Sequence, residues 1–492
     1  MSIQATDTAL FTYEQLLEAT GGEAAGQRKA FKIARVWTDT RTLQADDFFL
    51  PLSGERFDGH DYLDQAIASG SVGAFVQRDK LAAHSEWQAL PNLIAVESPI
   101  NAYLAIASAY RQAIDPLVIA ITGSSGKTTT KEMLAAALSP LMKTQKTDKN
   151  FNNEIGVSQT LLALKPDTEA LVVEMGMRGL RQIAPLSIAA RPNAALVINV
   201  GPAHIGLLGS LEAIAEAKLE IAEGLDPETG ILVINGDDPQ LMSLAPKRWK
   251  GRLETYHLSE AQDIEFFADA QGEGVRFRYQ DCSVRLPVSG QHMIANALGV
   301  LKLGESLGFA LASLARGLST FQPAEGRGER HLLPGYNHVE IINDAYNANP
   351  DSARASIETF LQACSVKSAS GERVARPVLI IGGMKELGEF SESYHRTLGR
   401  WLSQQTGIAA LFTVGEEAAW LAEEVRVATA PFSVFHAENI QALADQLLAQ
   451  PEFLENIILY LKGSRAYRLE ELFERLSVRQ QETAVPSAKG GR

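Results

Sequence analysis

A chain of 492 residues exceeds the roughly 250 to 300 at which a single hydrophobic core stops growing, so two or three domains are expected. A formal net charge of -14 with 46% hydrophobic residues gives no basic surface for nucleic acid or anionic membrane, and two distant cysteines, Cys282 and Cys364, provide neither a disulfide framework nor a zinc site. The N-terminus has acidic residues and no apolar signal core, and no window approaches the ~18 uncharged apolar residues of a membrane span, so a reducing, ATP-rich cytoplasm is the expected compartment.

The first apolar segments are short and punctuated by turn residues: FKIARVW, DDFFLPL, GAFVQ and NLIAVE, with helical sequence such as YLDQAIASG between them. A small α/β domain over 1–115, ending near Asp115-Pro116, is the simplest reading. PLVIAITG, ALVVEMG, AALVINVG and GILVING follow, each closing on Gly or Asn and each leading into helical sequence. Apolar strands alternating with helices predict a parallel sheet covered on both faces.

FADAQGEGVRFRYQDCSVRLPV predicts antiparallel hairpins at the edge of this central domain, GQHMIANALGVLKLGESLG a helix, and PAEGRGERH a connecting loop. A second α/β series, VEIINDAY, PVLIIGGM, ALFTVG and NIILYLKG, completes the pattern. The fold class is therefore α/β in three domains, near 1–115, 116–325 and 326–478. The final stretch 479–492, RQQETAVPSAKGGR, has no apolar pattern and reads as a disordered tail.

The strand VIAIT runs into the Gly-rich turn Gly123-Ser124-Ser125-Gly126-Lys127-Thr128-Thr129 and then into helical sequence. Backbone N–H groups of such a turn converge with a helix N-terminus where phosphate oxygens would sit; Lys127 would reach the β/γ-phosphates and Thr128 would offer a hydroxyl to Mg2+. The longer form of this motif has a glycine where this chain has Ile121, so the element is the shorter G-x-x-G-K-T form. Glu174 ends the strand LVVEMG and His204 follows LVINVGPAH, both at the rim where parallel sheets bind ligands. A carboxylate there can hold Mg2+ and a neutral imidazole can be a ligand; without the phosphate loop each would read as an ordinary strand-end residue. Lys218, between Glu216 and Glu220, reads by itself as a solvated helix lysine.

GSSGKTTTKE, NFNNEIGVSQTLL, VVEMGMRG, NVGPAHIGLLGS with EAKLEI, GQHMIANAL, NDAYNANPDS and KGSR occur in this order across about residues 35 to 470. Together they resemble the Mur ligases, most of all the branch that adds D-alanyl-D-alanine to UDP-N-acetylmuramoyl-tripeptide. The resemblance implies a small UDP-binding N-terminal domain, a central P-loop ATPase domain and a Rossmann-like C-terminal domain. It implies that Gly123 to Thr129 cradle the ATP phosphates, that Thr128 and Glu174 hold one Mg2+, and that His204 joins a second together with a carbamylated Lys218. It further implies that Asn296 contacts adenine, that Arg327 reaches the phosphates, and that Asp344 and Asn347 contact the nucleotide. Asp39, Thr40 and Arg41 would hold the UDP moiety, and Asn152 and Asn153 the sugar-peptide. Taken singly, such polar residues are more often turn or cap residues.

Two positions depart from the family pattern: Gly383 stands where an aspartate is usual in G-D-M, and Ser158 where proline is frequent. The implied chemistry is phosphorylation of a peptide carboxylate by ATP, then attack of the dipeptide amine on the acyl phosphate, in a monomer with neither a nucleic-acid partner nor a membrane span. Other Mur ligases, folylpolyglutamate synthetase, a slow nucleotide-gated binding protein and a small-molecule P-loop kinase are the competing readings.

Overall fold

The computed structural model describes residues 11–54, 57–269, 272–369 and 375–483. In the N-terminal unit, β1 Glu23–Ala25, β2 Arg35–Trp37, β3 Asp47–Phe49, β4 Gly73–Gln77 and β5 Leu93–Val96 form a sheet in the order β1-β5-β4-β3-β2. Only β1 runs antiparallel to its neighbour. Phe48 and Phe75 meet edge-on at 5.1 Å in its core, and buried Tyr13 donates its hydroxyl to Leu93 O at 2.5 Å, satisfying the one polar atom it brings inside. The helix Pro99–Ile114 leads out of this unit; it ends because Asp115 takes a left-handed φ of 51° and Pro116 cannot continue a helix.

The central sheet comprises β6 Leu117–Thr122, β7 Thr144–Lys146, β8 Ala170–Glu174, β9 Ala194–Val197, β10 Ile231–Asn235 and β11 Arg252–Tyr256, ordered β11-β10-β9-β6-β8-β7 with every pairing parallel. Side chains alternate across it as the pleat requires. Val118 and Ala120 face one cluster, which runs on to the N-terminal unit, whereas Ile119 and Ile121 face another built with Phe277, Leu286 and the helix Gln291–Ser306. Each such fully buried aliphatic side chain contributes about 1.5–3 kcal/mol, which is why these strands read as unbroken apolar runs. The expected hairpins are β12 Ala261–Asp269, β13 Gly272–Tyr279 and β14 Cys282–Leu286, a separate antiparallel sheet of three strands.

β15 Glu329–Leu332, β16 Asn337–Asn343, β17 Arg376–Gly382, β18 Ala410–Val414, β19 Ser433–Ala437 and β20 Glu455–Lys462 form the third unit, in the order β15-β16-β20-β17-β18-β19. All pairings are parallel except β15 with β16. Two expectations need correction. The end of PAEGRGERH is not loop, because Glu329, Arg330 and His331 pair with Asn343, Ile342 and Ile341. The first residues of the tail expected from 479 are helical: Leu472 and Leu476, one turn apart and buried, anchor the helix Glu471–Thr483, which carries good helix formers past 479. The rest of that tail lies outside the described residues. Among the described residues no helix is long and apolar enough to cross a membrane, and Cys282 and Cys364 form no disulfide.

Candidate active site

β6 lies between β9 and β8, so the loops leaving all three strands emerge side by side at one edge of the sheet, where the strand order reverses direction. The register sets Ile121 of β6 opposite both Glu174 of β8 and Leu196 of β9. After β6 the chain turns through Gly126, whose φ of 79° is open to glycine at little cost, and enters the helix Lys127–Leu138. The turn is pinned from the β9 side: Ser124 Oγ donates to Gly201 O at 3.0 Å and Asn199 Oδ1 accepts from Ser125 N at 2.9 Å. Asn296 lies against the turn, since a Cβ on Gly126 would fall 3.1 Å from its Nδ2. Thr129 is buried at the helix start.

Glu174 is 2% exposed and anchors the second part of the site. Its Oε2 accepts from Thr128 Oγ1 at 3.0 Å and its Oε1 from Asn152 Nδ2 at 2.8 Å, and Lys131 Nζ stands 3.9 Å from Oε2. The hydroxyl and carboxylate oxygens brought together at Thr128 and Glu174 are hard donors that fit Mg2+. Among the described residues no three His, Cys, Asp or Glu groups cluster for a metal. His204 takes a left-handed φ of 65° at the start of the short helix Ile205–Leu208, and its Nδ1 is 2.5 Å from Glu386 Oε2 of the third unit. The imidazole holds the Glu386 carboxyl below the usual range.

Four cations line the space above the turn. Burial lowers the Lys127 ammonium; Glu174 offsets this and Arg327 adds to it. Lys218, on the helix Leu211–Leu219, is 2% exposed and is pushed well below the ordinary lysine value by burial and then by Lys127. Lys462, at the end of β20, is likewise lowered by burial and by Arg327, against the pull of Asp344. Each cation thus feels its neighbour, and Lys127 donates to Gly123 O at 2.8 Å within the turn itself. Lys218 and Lys462 are buried and Lys127 and Arg327 half-buried; a polyanion laid along such a row of basic groups stabilises their charged forms.

The third unit brings several side chains to the same space. Asp344 accepts from Tyr460 Oη at 2.8 Å and pairs with Lys462 Nζ at 2.9 Å. Asn347 is exposed, its Oδ1 accepting from Ala348 N at 2.9 Å and its backbone O from Lys462 Nζ at 3.0 Å. Asn349 makes the direct bridge to the phosphate turn, Nδ2 donating to Ser125 Oγ at 2.8 Å. Arg327 lies over the Tyr346 ring, 4.5 Å from its centroid. Burial next to Lys462 pushes His292, one helical turn before Asn296, down to about 4. Lys131, Asn199, His292, Asn349, Glu386 and Lys462 were not singled out from the sequence. Most lie in quoted motifs, where spacing gives the neighbourhood but not the direction of a side chain; Glu386 carries no such signal.

Other sequence candidates stand apart. Asp39 and Arg41 form a two-pronged pair at 2.9 and 2.7 Å just after β2, and the guanidinium holds the Asp39 carboxyl down to about 2; Thr40 lies between them. Asn153 caps the helix Glu154–Leu162, its Oδ1 accepting from Gly156 N at 2.9 Å. At Gly383 an added Cβ would fall 2.8 Å from Tyr467 Oη and 2.9 Å from Glu417 Oε2, so the place of the usual aspartate is taken by groups from two other segments, one of them the helix Glu416–Val427.

Three family models cover most of the chain: the Mur ligase family, catalytic domain, at residues 32–117, the Mur ligase middle domain at 121–304, and the Mur ligase, glutamate ligase domain, at 326–465. The UDP-N-acetylmuramoyl-tripeptide--D-alanyl-D-alanine ligase of Bacillus subtilis (strain 168) is 35% identical over 477 residues, 94% of this chain and 98% of that protein. Crystal structure I of MurF from Acinetobacter baumannii superposes with a TM-score of 0.82 at 29% identity, covering 95% of this chain and 99% of that one. MurF ligase from Thermotoga maritima in complex with ADP gives a TM-score of 0.76 at 26% identity, covering 92% and 98%.

Proposed function

This chain belongs to the Mur ligase family, and on that premise we propose that it joins D-alanyl-D-alanine to UDP-N-acetylmuramoyl-tripeptide, with ATP converted to ADP and phosphate. The product is the pentapeptide precursor of peptidoglycan, made through an acyl phosphate. The observation that carries this reading is the row Lys218, Lys127, Arg327 and Lys462 over a phosphate turn, reached from both the central and the third unit.

A peptide carboxylate is a poor electrophile and repels ATP. Lys127 and Arg327 lower that repulsion and stabilise the charge spread over the transferring phosphoryl, while backbone N–H groups within Gly123 to Thr129, other than those of Ser124 and Ser125 that donate to Asn199, hold the remaining phosphate oxygens. Mg2+ bound at Thr128 and Glu174, and a second ion near His204, would supply further charge neutralisation along the phosphates. Burial, and then Lys127, push the Lys218 amine well below the ordinary lysine value, which favours the neutral form that adds CO2; the resulting carbamate would put an anionic oxygen donor where an ammonium would repel a metal. Asn296 holds the adenine side, with Asp344 and Asn347 approaching from the third unit. Asp39, Thr40 and Arg41 take the UDP moiety and Asn152 and Asn153 the sugar-peptide. Asn349 and Arg327 bring the third unit onto the nucleotide, which excludes water from the acyl phosphate until the dipeptide amine attacks. The boundaries near 115 and 325 separate these moving parts, and the enzyme works as a monomer in the cytoplasm.

Phosphate release from ATP with UDP-N-acetylmuramoyl-tripeptide, with and without D-alanyl-D-alanine, tests the reading. Dipeptide-dependent release with a nucleotide product heavier by one dipeptide minus water is expected; release indifferent to the dipeptide would overturn it.

A further inference from the structure

The loop after β17 reaches the central unit around Glu386. Glu386 puts Oε2 2.5 Å from His204 Nδ1 and Oε1 3.3 Å from Arg178 Nη2, so one carboxylate of the third unit spans the loops that follow β9 and β8. Its backbone joins in, Gly206 N donating to Glu386 O at 3.2 Å. Two glycines allow this approach: a Cβ on Gly206 would fall 2.4 Å from Gly388 N, and one on Gly388 2.8 Å from Gly206 Cα. Glu386 and His204 both hold a left-handed φ of 65°, a conformation that non-glycine residues keep only when their surroundings impose it. His204 Nδ1 is buried and, despite its nearness to Glu386, lacks an aligned hydrogen bond.

We infer that Glu386 is a positioning residue through which closure of the third unit orients His204 and the Arg178 loop. Glu386 draws the Nδ1 proton toward its carboxylate, which fixes the ring plane and leaves Nε2 with its lone pair free for the reaction space. In an open arrangement the carboxylate, the Gly206 bond and the Arg178 contact part together, so His204 is oriented only when the third unit is in place. Glu174 ends β8 four residues before Arg178 in the loop that follows, so the contact also bears on the Thr128–Glu174 side. This rests on the ligase reading, because nucleotide-driven closure is what the contact would report.

The full-length protein and its Glu386→Ala, Glu386→Gln and Arg178→Ala variants decide the matter. Solution scattering with a non-hydrolysable ATP analogue and UDP-N-acetylmuramoyl-tripeptide reads compaction, steady-state assays read kcat and KM separately, and thermal melts read folding. Glu386→Ala should lose kcat by roughly tenfold to a hundredfold, with KM for ATP nearly unchanged, reduced compaction and an unaltered melt. Glu386→Gln, which keeps an acceptor oxygen, should recover part of both readouts, and Arg178→Ala should fall between it and the parent. Wild-type compaction and kcat in Glu386→Ala would overturn the inference, as would a loss of kcat that only tracks a lowered melt and is not eased by Gln. If the parent itself shows no dipeptide-dependent turnover, the ligase reading fails, and compaction alone still decides the role of Glu386.

Discussion

At Lys218 the amine is 2% exposed and faces Lys127, so protonation there loses hydration and gains a repulsive neighbour. The lowered value means that the folded protein binds fewer protons than the unfolded chain between that value and the ordinary one of lysine. In bicarbonate-free buffer, stability should therefore rise with pH across this window and level off above the ordinary lysine value. Lys218→Met should be inactive yet melt a few degrees higher at neutral pH, a gain on the order of 1 kcal/mol, with the gap closing as the pH rises; a lower melt for the variant would refute this. Gly383→Asp, which restores the usual residue of the family, should harm this chain: its Cβ meets Tyr467 and its carboxylate meets Glu417. A loss of about 1–3 kcal/mol in urea unfolding is expected.

Asn153 shows how a helix start and a substrate contact compete as explanations of one residue. Its side chain accepts from Gly156 N, and Gly156 has no room for a Cβ because Phe151 backbone carbon lies 2.4 Å away, so the turn entering Glu154–Leu162 is tightly set. Asn153→Ala should cost about 1 kcal/mol and Asn153→Asp very little. If Asn153→Asp also keeps the KM for the UDP-tripeptide, the residue is a cap and no more. The elements that carry the site could be read in the sequence because they are buried on both faces or set by glycine: β6, β8, β9 and the phosphate turn all appear as apolar runs ending in turn residues. β7, β11 and β19 escaped because they are short, partly exposed strands whose residues, such as Thr144-Gln145-Lys146, carry no apolar run. Side-chain direction was the other gap. NDAYNANPDS marks the right loop, but only the turn geometry makes Asn349 rather than Asn347 the residue that reaches Ser125.

Contacts from the third unit to the central one include Asn349 to Ser125, Glu386 to His204 and Arg178, Arg330 to Glu273 and the close pair Gly206 and Gly388, beside an apolar cluster that runs through both units. Relative motion of domains within one chain is the default expectation, and polar links such as these part as the domains move. Gly206→Val should hold the third unit off without touching the phosphate turn; it should leave nucleotide affinity within about twofold while kcat falls at least tenfold, and an equal loss of both would count against a separable closing step.

Lys127, Arg327 and Lys462 have a consequence for the protein before any nucleotide arrives. Arg327 and Lys462 travel with the third unit, whereas Lys127 stays with the central one, so swinging the empty halves together is electrostatic work against like charge. The empty enzyme is thereby biased to gape, and ATP acts as the counter-ion that makes shutting downhill. Dissolved salt can stand in for part of that charge: with a screening length near 10 Å at 0.1 M and about 3 Å at 1 M, added salt should compact the unliganded protein in solution scattering while leaving the nucleotide-bound form almost unmoved.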